Sequence, residues 1–314
     1  MKKIDLITGF LGSGKTTFIK EYVRYLISKG EKVCILENDF GTVNVDMMLL
    51  QDLRSENCEL EMVAGGCDRD CYRRRFKTKL IAMGMDEYTR IVIEPSGIFD
   101  VDEFFDSLYD EPLCNWYEIG NVIAVAQADM NRNLSEESVG LLASEVACAG
   151  KVVLSRTQCT TKEEIEATKE YIISSLKYVK CNRDISSDFI AKSWADFTDA
   201  DYKLIASSGY KKESFVKNIS NQESYDSVCF LDKGFGPNYA KEFAETLFAD
   251  ETKYGKIIRV KGFCFSDDNW TEINVTNCST EINNIGEGQD VIIVIGENLV
   301  KDEIESLAKY YYQK

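Results

Sequence analysis

The run Gly9-Phe10-Leu11-Gly12-Ser13-Gly14-Lys15-Thr16 fits the pattern G-x-x-x-x-G-K-[ST] and constrains the fold more than any other stretch of the chain. An apolar segment over 4–8 precedes it and an amphipathic one over 15–28 follows. The expected local structure is therefore strand, loop, helix. Such a loop lets backbone amides wrap a β-phosphate, and the helix N-terminus adds a favourable dipole. Lys15 reaches the β- and γ-phosphates, and Thr16 offers a hydroxyl to Mg²⁺. Gly9, Gly12, Ser13, Gly14, Lys15, Thr16 and Thr17 are the expected nucleotide-binding residues.

A strand–loop–helix unit needs neighbours of the same kind. The following sequence supplies β-rich runs over 32–37, 58–63, 90–93, 121–125 and 152–155, separated by helix-like stretches over 70–83, 101–109, 135–147 and 162–176. Alternation of this kind implies right-handed crossovers and a mostly parallel sheet covered on both faces. The pattern fades near residue 205, and a polar stretch over 207–224 reads as a linker. A second unit then shows strands over 227–231, 256–265, 272–276 and 291–295, with helices over 238–248 and 301–311. The expected architecture is α/β, a mostly parallel P-loop NTPase domain over 1–205 and a smaller C-terminal α+β domain over 223–314. A chain of 314 residues accommodates both, at roughly 100–200 residues per domain.

Composition narrows the function. With 37 Lys+Arg against 53 Asp+Glu the net charge is −16, which repels phosphate backbones and argues against a nucleic-acid partner. No apolar run approaches the ~18 residues of a membrane span. The opening MKKIDLITGF reads as a first buried strand rather than an export signal. Eleven scattered cysteines do not form a secreted disulfide framework, so reduced thiols and a cytoplasmic location are expected. Histidine is absent, which removes imidazole as base or ligand.

The run over 90–93 ends in Glu94-Pro95-Ser96-Gly97. A carboxylate at the end of a strand after such a loop is a candidate for the magnesium shell. The glycine behind it is a candidate sensor of the γ-phosphate through its N–H. Together with Glu37-Asn38-Asp39-Phe40-Gly41, Asp46, the GKIIRVKG run from Gly255 and VIIVIG from Val291, these motifs resemble the CobW-type P-loop GTPases, grouped with HypB and UreG. The similarity covers nearly the whole chain. It implies a slow GTPase that delivers or inserts metal, or that activates a metal- or cofactor-dependent client, with a homodimer or partner completing the site. It also implies that Asp39, in a mobile switch, joins Thr16 and Glu94 around Mg²⁺. Lys15, Asp39 and Glu94 are then the expected catalytic set, with Asp39 or Glu94 orienting water.

Two segments depart from the family pattern. Where relatives carry Asn-Lys-x-Asp to read guanine, this chain has Ser155-Arg156-Thr157-Gln158. Arg156 can lie over a purine face, and Gln158 can accept from guanine, but an uncharged amide gives a weaker hydrogen bond than a carboxylate. GTP is favoured and ATP stays open. Where relatives carry C-x-C-C, this chain has Cys67-Asp68-Arg69-Asp70-Cys71. If helical, Cys67 and Cys71 share one face and form a candidate site for Zn²⁺ or another soft metal, with Cys58 or a carboxylate completing it. Arg73, Arg74 and Arg75 would lower the thiol pKa values, or hold an anion or an acidic partner surface. The other cysteines read as packing residues. Three functions follow: a metallochaperone GTPase, a nucleotide-driven activator of a partner such as a corrinoid enzyme without metal cargo, and, ranked last, a small-molecule kinase.

Overall fold

The computed structural model describes residues 1–38, 45–63, 69–95, 101–213, 225–266, 268–277, 279–286 and 288–312. The chain divides into two compact units, Met1–Asn218 and Ile219–Lys314.

The first unit is a seven-stranded parallel sheet. Its strands are β1 (Lys2–Thr8), β2 (Val33–Asn38), β3 (Cys58–Val63), β4 (Arg90–Pro95), β5 (Tyr117–Gln127), β6 (Lys151–Ser155) and β7 (Phe189–Ala191). Their order is β3-β2-β4-β1-β5-β6-β7, and every pairing is parallel. The helices are α1 (Lys15–Ser28), α2 (Val45–Leu49), α3 (Arg69–Gly84), α4 (Val101–Tyr109), α5 (Leu113–Trp116), α6 (Glu136–Ala147), α7 (Lys162–Tyr178) and α8 (Asp199–Ala206). Strand alternation splits the core into two layers. Ile4, Leu6, Cys34, Leu36, Ile91 and Ile93 face α3, α4, α6 and α7. Ile7, Val33, Ile35 and Val92 face α1 and α8. Because both faces are covered, β4 is buried along its whole length, as parallel sheets require. Helix starts are secured locally: Ser135 caps α6, and Thr161 with Glu164 forms a capping box on α7.

One buried ionic cluster fastens the centre of this sheet. Asp5 of β1 is fully buried. Its Oδ2 accepts from Arg90 Nη1 of β4 at 2.7 Å and from Tyr22 OH of α1 at 2.7 Å. Its Oδ1 accepts from Asn121 N and Nδ2 of β5 at 2.9 and 2.8 Å. One carboxylate thus joins three strands and a helix. Tyr22 is driven to a higher pKa by burial and by this carboxylate, so it stays a donor.

Several elements differ from the sequence reading. β5 begins at Tyr117, four residues earlier than expected, because it runs along β1 through a register shift at Ile4/Asp5. β7 is too short and too polar in context to stand out as a strand, and it forms only by pairing with β6. The polar stretch from Ser207 is tied to the first unit at its start. Val122 N donates to Gly209 O at 3.0 Å, and Lys211 N donates to Cys148 O at 2.9 Å.

The second unit holds β8 (Tyr225–Leu231), α9 (Pro237–Ala249), α10 (Glu251–Tyr254), β9 (Lys256–Ser266), β10 (Asn269–Thr276), β11 (Thr280–Ile285), β12 (Val291–Glu297) and α11 (Lys301–Tyr312). Its five strands lie in the order β11-β10-β9-β12-β8, with every pairing antiparallel. Phe243, Leu247, Ile304 and Ala308 of α9 and α11 pack on Val260, Ile273 and Val294 of the sheet. β11 is mostly exposed, with the polar run Thr280–Ile285, which is why it lacked a strand signature. Among the described residues no helix is long and apolar enough to cross a membrane.

The Asp5 cluster has a measurable consequence. Arg90→Met should destabilise the chain by about 3–5 kcal/mol, because it leaves a buried carboxylate without its cation. An unfolding free energy from urea titration within about 1 kcal/mol of wild type would show that Tyr22 and Asn121 suffice.

Candidate functional site

The site forms where β1 ends at the centre of the sheet. β1 continues into α1 on one face of the sheet, whereas its neighbours β4 and β5 continue into α4 and α6 on the other, so a crevice opens at the carboxyl ends of these strands. The loop from Gly9 to Gly14 fills its mouth. Gly9 has φ +146°, and a Cβ there would lie 2.2 Å from Val125 O of β5. Only glycine lets the loop cross β5 this closely. Gly14 caps α1 with φ 93° in the left-handed region and offers no side chain to the first-turn amides. The start of α1 therefore keeps backbone donors for an anion, unlike the side-chain-capped starts of α6 and α7.

Two polar side chains behind the loop hold its carbonyls. Ser155 Oγ donates to Ser13 O at 2.7 Å. Gln127 Nε2 donates to Gly12 O at 2.7 Å. Neither residue was expected as a site residue, since their signal is only their place at the ends of β6 and β5. Ser155 also starts the segment read as base-recognising. There Arg156 sits at φ 58°, an unusual left-handed conformation for a non-glycine residue. Its carbonyl is held by Cys159 N at 3.0 Å and by Thr160 Oγ1 at 2.8 Å. Arg156 is half-buried and Gln158 is exposed beside it. Glycine loop and base segment are thus joined by one hydroxyl.

Lys15 is buried, and its Nζ donates to Gly9 O at 2.8 Å, so the ammonium lies folded over the loop. Thr16 Oγ1 donates to Glu94 Oε1 at 2.9 Å. Two expected magnesium ligands distant in sequence, one at the start of α1 and one at the end of β4, therefore meet. Glu37 stands beside Glu94 in the β2–β4 register, and both are buried. Alternation puts the pair on the α1 face with Val33, Ile35 and Val92. Adjacent strands are ~4.8 Å apart. Two carboxylates at that spacing in a buried place favour a cation between or near them. Glu37 entered the sequence reading only as part of a motif, because strand register is invisible in one strand's sequence.

A third acid is nearby. Glu145 on α6 is fully buried, and its Oε2 has no hydrogen-bond partner among the described residues. Burial drives its pKa well above the ordinary carboxylate range, while the Lys15 ammonium draws it partly back. Nothing in the sequence separates this glutamate from the exposed acids of the same helix.

Other expected residues lie elsewhere. Asp39, Cys67 and Gly97 are outside the described residues, as is the Cys71 side chain. Asp46 belongs to α2, with its side chain likewise outside them. Cys58, expected to complete a thiolate set, is buried in the α1-side core at the start of β3. That is the far end of the strand from residue 64, ~16 Å from Val63 at ~3.3 Å per residue. Burial pushes its thiol up to about 11, and it acts as a packing residue. Conversely, Cys159 and Cys229 are exposed, so they are not the packing residues they were taken for. Cys34, Cys148, Cys181 and Cys264 are buried as expected.

A parallel sheet of this order, with a glycine loop and lysine between its central strand and first helix, defines the P-loop class of α/β proteins. The model of the family CobW/HypB/UreG, nucleotide-binding domain, matches residues 3–181, and the chain belongs to that family. It is similar to the zinc chaperone YjiA of Escherichia coli (strain K12), 27% identical over 168 residues, 51% of this chain and 51% of that protein. It is also similar to the zinc-regulated GTPase metalloprotein activator 1 of Dictyostelium discoideum, 21% identical over 300 residues, 83% of this chain and 62% of that protein. The chain spans about half the length of the bacterial relative it matches. The crystal structure of Zn(II)-bound YjiA GTPase from E. coli aligns over 99% of this chain and 98% of that one, at 20% identity and a TM-score of 0.41.

Glu145 gives the site a pH signature. The unfolded chain ionises this residue at about pH 4.3, whereas burial in the fold shifts its ionisation upward, so its burial costs stability as pH rises above that value. Glu145→Gln should therefore leave the urea midpoint unchanged near pH 4 and raise it at pH 7.5. An equal midpoint at both pH values would mean that Glu145 is ionised in the fold. Separately, Gly9→Ala should abolish nucleotide binding in titration calorimetry, because its methyl group collides with backbone rather than with a movable side chain.

Proposed function

We propose that the chain binds GTP with Mg²⁺, hydrolyses it slowly, and couples the cycle to delivery or insertion of a metal or metallocofactor into a client protein. The observation that carries this reading is the meeting of Thr16 and Glu94 at 2.9 Å beside the loop that Lys15 closes. Thr16, Glu94 and the adjacent Glu37 are hard oxygen donors, which suits a Mg²⁺ site. In this reading Thr16 and Glu94, with Asp39, would hold the ion, which would supply positive charge to offset that of the phosphates. The loop amides from Gly9 to Gly14, with Lys15 and Thr17, bind the phosphates and need no reorganisation as charge develops. Glu94 or Asp39 orients water, Gly97 senses the γ-phosphate, and Arg156 with Gln158 meets the base. Cys67 and Cys71 carry a soft metal such as Zn²⁺. The names of the relatives, zinc chaperone and metalloprotein activator, support metal handling. The cycle runs in the cytoplasm, with a client and a homodimer as partners and no role for nucleic acid or membrane.

Exposed Gln158 favours one second reading. Without an acid there, adenine is tolerated, and the chain would be a nucleotide-dependent activator of a partner enzyme, for example a corrinoid protein, with no transition-metal cargo.

Lys15→Ala should weaken GTP binding at least 100-fold in titration calorimetry with Mg²⁺, and unchanged affinity would refute the phosphate assignment. Wild type should hold stoichiometric zinc by elemental analysis, with the amount altered by GTP and lost in Cys67→Ser/Cys71→Ser. Nucleotide binding with no zinc in either protein would select the activator reading instead.

A further inference from the structure

β3 is an edge strand: it pairs with β2 on one side and ends the sheet on the other. The opposite edge, β7, is only three residues long, which blunts it. β3 runs for six residues. In a parallel strand the N–H and C=O of one residue point to the same neighbour, and those of the next residue point to the other. Cys58 turns its pair outward, where Ser55 closes both bonds, at 3.0 and 3.2 Å. Leu60 and Met62 therefore also turn theirs toward the edge. Among the described residues, no backbone partner closes these groups.

An open groove of about 500 Å³ lies at the carboxyl end of this edge, lined by Met62, Val63, Arg74, Arg75, Thr78, Lys79 and Ala82. Its two walls differ chemically. One wall is α3, whose Arg74, Arg75 and Thr78 are exposed and whose Lys79 pairs with Glu61 at 2.5 Å. The other is Met62, 44% exposed, on the opposite face of the sheet with Cys58 and Leu60. A cationic wall on a chain of net charge −16 is out of character with the rest of the composition.

We propose that this edge receives an extended segment of the client protein, added to β3 as a further strand, with acidic and apolar side chains in alternation. The alternation follows from the geometry. Successive side chains of an added strand fall on opposite faces of the sheet. Those on the α3 side meet Arg74 and Arg75, which bind carboxylates through charge-assisted, bidentate hydrogen bonds. Those on the other side meet Met62, an adaptable apolar contact. The backbone edge supplies affinity, and the two walls supply the pattern. Val63 leads into 64–68 and α3 begins at Arg69, so the segment carrying Cys67 and Cys71 connects the two walls in sequence. The assignment rests on the reading that the chain serves a protein client, and peptide binding can be measured without metal or nucleotide.

The test uses the full chain and three labelled eight-residue peptides. One alternates Glu with Val and Leu, one replaces each Glu by Lys, and one has the first composition with acids and apolar residues in separate blocks. By fluorescence anisotropy the alternating acidic peptide should bind at least ten-fold more tightly than either control, and more weakly at raised salt. Arg74→Glu/Arg75→Glu and, separately, Met62→Asp should each cost at least ten-fold. All three residues are exposed, so circular dichroism should match wild type. Hydrogen exchange over 58–63 should slow when the peptide saturates the chain. Absence of binding, equal binding of the three peptides, indifference to both variants, or unchanged exchange in β3 would each overturn the proposal. If zinc and GTP binding persist in that case, only the docking surface fails and the client reading stands.

Discussion

The buried carboxylate of Asp5 is the constraint on which the first unit turns. A charge in the middle of a central strand is tolerated only if every lone pair finds a donor. Arg90, Tyr22 and Asn121 supply those donors from β4, α1 and β5. The same contacts that neutralise Asp5 therefore fix β1 against both neighbours and against the helix that follows it. The glycine loop is the direct continuation of β1, so its place relative to β4 and β5 is inherited from this cluster. The site lies at the carboxyl ends of the strands, and its fastening lies midway along β1.

From that placement the rest of the site follows by register. β4 carries Glu94 to the level of Thr16, and β2 carries Glu37 to the level of Glu94. β5 and β6 bring Gln127 and Ser155 under the loop carbonyls. The loop is thus held from behind by neutral hydrogen bonds and faced from the side by acids. Buried Glu145 adds a third acid within the field of Lys15. Concentrating acids around one lysine and an open helix start makes sense for a place that takes up cations and anions together.

The acidic character of the chain also gives the basic face of α3 its meaning. Elsewhere the excess of acids makes the surface self-repelling toward polyanions. Along β3 the arginines reverse that sign locally, beside a sheet edge that the short β7 does not duplicate. An edge with both a cationic and an apolar wall discriminates by side-chain order as well as by net charge.

By itself the sequence determined the strand–loop–helix start, the parallel α/β class and the family, because these rest on local spacing and on hydrophobic periodicity. It also singled out Lys15, Thr16 and Glu94, each of which sits in a recognisable short motif. Glu37, Gln127, Ser155 and Glu145 were not legible, since each owes its role to a neighbour far away in the chain. β7 and β11 were missed because a short or polar strand is stabilised by its pairing, which a single segment does not encode. Cys58 was read as a possible ligand because its burial in the core at the start of β3 is not written in its local sequence. Tertiary structure alone decided which acids stand side by side, which hydroxyl ties Ser155 to the glycine loop, and which sheet edge stays open. Those are matters of register and layer order, and they arise only when separate strands share one sheet.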